Sequence, residues 1–277
     1  MTSAGAYAHV NGLDLYYEQY GAGRPLIALH GGLLTIGLSF GALIPALAPT
    51  RRVVAAELQG HGHTADTDRE FRVEHLAEDV LGLLDHLRIA RADLFGFSLG
   101  GLVALQLALD HPDRVDHLAL ASVGCHPDGY HDEIRRPELH AGSTRMPTAR
   151  EFEAMRDAYL ATAPHPEHFE EFAAKASAAV DAFGGWPADA LRGLAAPTLL
   201  IVGDHDLVRL EHAVEMYELV PDARLAVLPR TSHLGVAQRT DLLLPLLNGF
   251  LPGPDDRPPR SPETALTGHV RPGTMPG

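Results

Sequence analysis

The sequence predicts an α/β fold with a mostly parallel central sheet and helices on both faces. Short apolar runs of strand type alternate with helical patterns along most of the 277 residues, an order typical of parallel sheets built from βαβ units. A Gly-x-Ser-x-Gly sequence at residues 96–100 lies at one strand-to-helix junction. The hydrophobic fraction of 45% supplies enough apolar side chains for a large core.

In chain order, the predicted elements begin with a hairpin. Asn11-Gly12 separates the runs 7–10 and 13–20, and this dipeptide favours a two-residue turn between antiparallel strands. Later apolar runs predict strands at residues 26–29, 53–56, 92–97, 115–121, 198–202 and 224–228. Apolar residues at helical spacing predict helices at about residues 38–48, 74–88, 99–110, 209–220 and 240–250.

The alternation stops between Cys125 and Ala190 and resumes afterwards. A capping box, Thr148-Ala149-Arg150-Glu151, predicts the start of one helix, and residues 166–180 favour another. We expect residues 1–125 and 191–251 to form the core and residues 126–190 to form a helical lid, the alternative being one more pair of packing helices. Residues 252–277 hold seven prolines without apolar periodicity, which predicts a disordered tail.

Composition and charge exclude several classes of partner. The net charge of −14 and the pI near 5.6 argue against nucleic acid and anionic membranes as partners. The single cysteine, Cys125, allows no internal disulfide and no thiolate cluster. The first residues lack a basic start and an apolar run, and no stretch approaches ~20 apolar residues, so we expect a cytoplasmic protein.

The serine of the Gly-x-Ser-x-Gly sequence is a candidate nucleophile. Gly96 and Gly100 flank Ser98 at two residues' distance and leave room for a sharp turn that exposes the serine at the sheet edge. A serine hydroxyl needs a base to accept its proton and an acid to hold that base. Two later loops that follow strand ends supply candidates, with Asp204 and Asp206 in the first and His233 in the second.

These motifs resemble the α/β-hydrolase fold superfamily, in its lidded serine esterase-like branch. Residues 203–206, Gly-Asp-His-Asp, are similar to the Gly-x-x-Asp motif of that family, which implies Asp206 as the acid beside His233. Residues 30–32, His-Gly-Gly, resemble the family's His-Gly-x loop. The resemblance implies that the backbone N–H groups of Gly32 and Leu99 stabilise an oxyanion, with Leu33 as an alternative donor to Gly32.

Residues 57–64 resemble the family's Asp-x-x-Gly-His-Gly-x-Ser segment with three departures. Glu57, His63 and Thr64 stand where Asp, Arg and Ser are common. We expect the two glycines to turn the chain beneath the elbow and His61 to pack there. A metal site formed by His61, His63 and Asp66 is the alternative, but its spacing fits a tetrahedral site poorly.

The resemblance implies a serine hydrolase of the carboxylesterase type that acts on esters of small to medium size without a cofactor or metal. Lactonase, carbon–carbon bond hydrolase and cofactor-free perhydrolase activities need the same three residues and stay open. A ligand-binding protein with a vestigial triad is the non-enzymatic alternative. Candidate lining residues for a substrate pocket are Cys125 and Trp186, followed by His126, Tyr130 and Phe183, although ordinary packing explains them equally well.

Overall fold

A computed structural model describes residues 5–134, 136–140 and 142–253. Within this part of the chain, eight strands form one sheet in the order β1-β2-β4-β3-β5-β6-β7-β8. The strands are β1 (Ala6–Val10), β2 (Leu13–Tyr20), β3 (Pro25–Leu29), β4 (Arg52–Ala56), β5 (Ala92–Phe97), β6 (Val115–Ala121), β7 (Thr198–His205) and β8 (Ala223–Ser232). The pairs β1–β2 and β2–β4 are antiparallel and the other pairs are parallel, which confirms the predicted fold class.

The predicted hairpin is present, with both turn residues in the left-handed region. The φ angles are 50° at Asn11 and 78° at Gly12, the signature of a type I′ turn, whose twist suits antiparallel strands. Strands β7 and β8 both extend several residues beyond the predicted ends, so the loops that carry the candidate acid and base are shorter than the sequence suggests.

Helices cover both faces of the sheet. They are α1 (Ile36–Phe40), α2 (Leu43–Leu47), α3 (Val73–His86), α4 (Leu99–Asp110), α5 (Ala149–Thr162), α6 (Phe169–Ala182), α7 (Ala188–Arg192), α8 (Leu210–Leu219), α9 (His233–Gln238) and α10 (Thr240–Phe250). Adjacent residues of β3 enter different cores. Ile27 packs with α3 and α4, and Leu26 packs with α1, α2 and α10. Burial on both faces explains why β3 is apolar along its whole length.

Two secondary-structure predictions, one of a helix and one of a loop, were wrong in detail. The helix predicted at 38–48 is divided into α1 and α2. Pro45, in α2, has no N–H to donate to the carbonyl of Gly41, so a continuous helix would lose that hydrogen bond. His233 was predicted to lie in a loop, but it is the first residue of α9. The Ser232 side chain caps this helix by accepting a hydrogen bond from the Gly235 N–H.

The described residues between β6 and β7 are organised around helices. Short 3₁₀ turns precede α5, and α6 and α7 follow it. The predicted capping box is present, since Thr148 and Glu151 satisfy each other's backbone N–H groups at the start of α5. The role of residues 126–190 as a lid stays a prediction. Most of the predicted tail, 252–277, lies outside the described residues. Arg51 donates hydrogen bonds to the carbonyls of Leu251 and of Pro252, the first residue of that tail.

No helix in the part of the chain described above is both long and apolar enough to cross a bilayer.

Candidate active site

The turn between β5 and α4 holds Ser98 in a strained conformation. Its φ and ψ are 50° and −117°, a region that residues with a Cβ rarely adopt. A Cβ at Gly96 would lie 2.3 Å from the Gly100 carbonyl oxygen, and one at Gly100 would lie 2.2 Å from that of Leu29. The turn can therefore form only with glycine on both sides of the serine, as the sequence motif predicts.

Three side chains predicted from separate strand ends meet at this turn. The Ser98 Oγ lies 3.0 Å from His233 Nε2, and His233 Nδ1 lies 2.6 Å from Asp206 Oδ1. Since an ionised carboxylate only accepts hydrogen bonds, the Nδ1–H donates to Asp206 and the Nε2 lone pair accepts from the serine hydroxyl. The arrangement can withdraw a proton from Ser98 as that oxygen attacks an electrophile.

Asp206 is buried and surrounded by hydrogen-bond donors. Its Oδ2 accepts from the Ser122 hydroxyl at 2.6 Å and from the Gly203 N–H at 3.1 Å. Its Oδ1 accepts from the Leu207 N–H at 2.7 Å in addition to His233. Burial acts to raise the pKa of this carboxyl, but the charge of His233 and the hydrogen bonds outweigh burial and leave the pKa below its ordinary value. The carboxylate is therefore ionised at neutral pH.

Ser122 was missed by the sequence reasoning. It immediately follows β6, is fully buried and has a φ of 58°, so like Ser98 it has a positive φ that residues with a Cβ seldom adopt. The one available signal in the sequence was its position. Ser122 is a polar residue directly after an apolar strand, at the sheet edge where Ser98 lies.

Asp204, the other candidate acid, has a different environment. It accepts hydrogen bonds from the backbone N–H groups of Arg230 at 2.8 Å and Thr231 at 3.0 Å. These bonds lower the pKa of its carboxyl. Asp204 thus ties the end of β7 to the chain that leads into His233, and Asp206 is the residue that contacts the imidazole.

The predicted oxyanion donors lie on two adjacent turns. A Cβ at Gly32 would lie 3.9 Å from the Leu99 Cβ, so the two residues are neighbours. Within the described chain, neither the Gly32 N–H nor the Leu99 N–H donates to another protein group. The N–H of Leu33, the alternative donor, is engaged by His61 Nε2 at 3.0 Å. Gly32 and Leu99 are therefore the better placed pair for an incoming oxygen.

Residues 57–64 contact the loop that holds Gly32, since His61 accepts a hydrogen bond from the Leu33 N–H. Gly60 and Gly62 both have positive φ angles, 73° and 53°. The buried Glu57 carboxylate accepts from the His63 backbone N–H at 2.6 Å and pairs with His63 Nδ1 at 2.8 Å. His63 is thus the partner of a buried carboxylate, and the Thr64 hydroxyl donates to the Glu57 carbonyl.

The residues of the alternative metal site have separate partners. His61 contacts Gln59 and Leu33, His63 contacts Glu57, and Asp66 accepts from Lys175. In the described chain, potential metal-ligating atoms cluster at His165, Glu167 and His168, all of them exposed.

The two predicted pocket residues lie next to each other. The Trp186 N–H donates to the Cys125 carbonyl at 2.9 Å, and its indole N–H donates to Gln106 at 2.8 Å. The buried Cys125 thiol lies 3.5 Å from His212 Nε2, and burial raises its pKa to about 11. A separate cavity of about 120 Å³ is lined by residues 144–148 and by Ser232 and Leu234, which flank His233 in the sequence.

Comparisons with known proteins agree with this architecture. The model of the alpha/beta hydrolase fold family matches residues 24–154. A pimeloyl-[acyl-carrier protein] methyl ester esterase of Aeromonas hydrophila is 30% identical over 259 residues, which cover 86% of this chain and 100% of that protein. A 2-hydroxymuconate semialdehyde hydrolase of Pseudomonas sp. (strain CF600) is 29% identical over 258 residues, covering 87% and 91%.

The structure of the enol-lactonase from Burkholderia xenovorans LB400 aligns with a TM-score of 0.72 and 28% identity, covering 88% of this chain and 98% of that one. A dihydrolipoyllysine-residue acetyltransferase component of the acetoin cleaving system of Pseudomonas putida is 42% identical over 127 residues, but the match covers only 32% of that protein. The matches over nearly whole chains establish the family. This chain belongs to the α/β-hydrolase fold family, and its relatives support a hydrolytic activity.

Proposed function

We propose that this protein is a serine hydrolase that cleaves carboxylic esters of small to medium size through a seryl acyl-enzyme. The observation that carries the proposal is the continuous hydrogen-bonded series from Ser98 through His233 to Asp206, with distances of 3.0 Å and 2.6 Å. Each side chain comes from a different strand end, and only the sheet order brings them together. The alternative of a binding protein with a vestigial triad gives no reason for keeping this alignment.

In the first half of the reaction, the Ser98 oxygen attacks the acyl carbon and its proton passes to His233 Nε2. The carbonyl oxygen becomes an anion that accepts hydrogen bonds from the Gly32 and Leu99 N–H groups. Backbone donors suit this task because they are fixed before the charge develops. Asp206 stays ionised and offsets the charge of the imidazolium.

In the second half, the acyl-enzyme is hydrolysed. His233 gives its proton to the alkoxide oxygen as the ester C–O bond breaks, and the alcohol leaves. A water molecule then loses a proton to His233 and attacks the acyl carbon. Collapse of this second tetrahedral intermediate releases the carboxylic acid and returns the proton to Ser98, so the enzyme is unchanged.

A lactonase is the second candidate, favoured by the likeness to the enol-lactonase over 98% of that chain. The same steps open a cyclic ester, whose alkoxide stays attached to the acyl group. We further propose that residues 126–190 act as a lid whose inner residues, Trp186 among them, select the substrate together with Cys125 of the core. The likeness to the 2-hydroxymuconate semialdehyde hydrolase keeps carbon–carbon bond hydrolysis as an alternative for the same three residues.

The test combines active-site labelling with a substrate series. Purified protein is treated with a fluorophosphonate probe, with Ser98→Ala as the negative control. Ser39→Ala is the matched serine control, since Ser39 is buried and its hydroxyl has no partner among the described residues. We expect the probe to label the original protein and Ser39→Ala equally, and not to label Ser98→Ala. Nitrophenyl esters of increasing acyl length, run beside simple lactones, then define the substrate class. Absence of both labelling and turnover would refute the enzymatic function.

A further inference from the structure

The turn that holds the Gly32 N–H has a strained backbone at Leu33, the residue after Gly32. The Leu34 N–H donates to the Gly31 carbonyl at 3.2 Å, which closes a four-residue turn. Leu33 occupies its third position with a φ of 58°, where glycine is the usual residue. A left-handed leucine costs about 1–2 kcal/mol, so another interaction must hold the turn in this form.

That interaction is a hydrogen bond to a buried histidine. The Leu33 N–H donates to His61 Nε2 at 3.0 Å, and His61 Nδ1 contacts the Gln59 carbonyl at 2.9 Å. Because a carbonyl only accepts, the proton of the ring is on Nδ1 and Nε2 offers its lone pair to Leu33. Burial, followed by the nearby His30, keeps the pKa of His61 well below its ordinary value, so the ring is neutral and the acceptor persists.

The His61 ring is itself held by helix α6. Phe172 of α6 is 1% exposed and packs edge-on against His61, with ring centroids 4.9 Å apart. A Cβ at Gly60 would lie 2.1 Å from the Phe172 ring, so the phenyl group fills the space that this glycine leaves. One turn along α6, Lys175 Nζ donates to both Asp66 oxygens at 2.9 Å. Helix α6 is therefore fastened to the chain around His61 at two points.

We propose that His61 is a positioning residue for oxyanion stabilisation. It engages the Leu33 N–H, fixes the left-handed turn and so leaves the Gly32 N–H beside Leu99 for the substrate oxygen. Helix α6 maintains this arrangement through Phe172. The inference rests on the proposed function, because it concerns the oxyanion of the Ser98 reaction.

The first experiment uses variants that remove or keep the acceptor. His61→Ala and Phe172→Ala are expected to lower kcat by about 10- to 100-fold with KM changed less than twofold, because the loss of a full oxyanion donor costs about 10²- to 10³-fold. Affinity for a trifluoromethyl ketone, whose adduct carries an oxyanion, should fall in parallel. His61→Gln keeps a side-chain acceptor and should recover part of kcat. Folded His61→Ala protein with unchanged kcat and inhibitor affinity would overturn the proposal.

A measurement on the unaltered protein decides the question if the variants do not fold. Nitrogen NMR of the imidazole groups should show a neutral His61 with its proton on Nδ1 down to about pH 6, where an ordinary histidine is largely charged. A proton on Nε2 would exclude the bond from Leu33 and refute the role of His61. Turnover and Ser98 labelling of the unaltered protein are measured first. Their absence would contradict the proposed function, whereas normal turnover with an Nε2–H tautomer contradicts only this inference.

Discussion

Removal of the Ser122 hydroxyl should weaken catalysis without touching any reacting group. The hydroxyl donates to Asp206 Oδ2 at 2.6 Å in a fully buried position. A hydrogen bond to a charged group contributes about 1.5–3 kcal/mol, which corresponds to about 10- to 150-fold if it is lost wholly in the transition state. Since Gly203 and Leu207 still donate to the carboxylate, we expect the lower end, about 10-fold in kcat, with little change in KM.

Two variants at this position separate the effect on catalysis from the effect on folding. Ser122→Ala and Ser122→Gly both lack the hydroxyl, but glycine tolerates the φ of 58° that alanine does not. The alanine variant should therefore be less stable than the glycine variant by about 1 kcal/mol, whereas both should show the same loss in kcat. Ser39→Ala, which removes a buried hydroxyl without a described partner, should change neither quantity substantially.

The assay is steady-state hydrolysis of a nitrophenyl ester across pH, beside urea unfolding of each variant. Without the Ser122 hydrogen bond, the pKa of Asp206 rises and its negative charge is less shielded. The acidic side of the pH profile of kcat/KM should therefore shift to higher pH. A folded Ser122→Gly protein with kcat within twofold of the original would refute the reasoning. A pH profile that stayed in place while kcat fell would assign Ser122 a purely structural role.

Two further predictions concern buried titratable groups. Burial lowers the pKa of His30 and His61, so below about pH 6.5 the unfolded chain binds more protons than the folded one. The free energy of unfolding should be fully retained above that pH and fall below it by up to about 1.4 kcal/mol per pH unit per histidine. Urea unfolding measures this fall, His61→Gln should reduce its slope, and constant stability down to pH 5 would contradict it. Burial raises the pKa of Cys125 to about 11, so iodoacetamide at about pH 8 should react far more slowly with native than with unfolded protein. Equal rates would show that the thiol is accessible.

The parts of the fold that follow from local rules were predictable from the sequence. The Asn11-Gly12 turn, the alternation of strands and helices and the glycines around Ser98 each depend on a few neighbouring residues. The convergence of Asp206 and His233 on Ser98 also followed, because parallel strands present their carboxyl ends at one sheet edge. The choice of Asp206 over Asp204, which follow the same strand, came from the Gly-x-x-Asp motif.

The remaining features depend on contacts that are distant in sequence. Ser122 reaches Asp206 across 84 residues because β6 lies beside β7 in the sheet, and nothing near Ser122 in the sequence indicates a partner. The Leu33 N–H bond to His61 spans 28 residues. Helix α9 has six residues, too few for an apolar period to appear, and it forms where Ser232 caps it.

The distribution of backbone strain connects these observations. Six described residues other than glycine have positive φ angles, and four of them, Leu33, Ser98, Ser122 and Arg230, lie after or near the carboxyl ends of β3, β5, β6 and β8. At about 1–2 kcal/mol each, they cost together about 4–8 kcal/mol, which is comparable with the whole net stability of a typical domain. Glycine would remove most of that cost at each position. A cost of this size concentrated at one sheet edge supports an edge organised for chemistry, since the strain lies where it directs the Ser98 and Ser122 hydroxyls and the chain into His233.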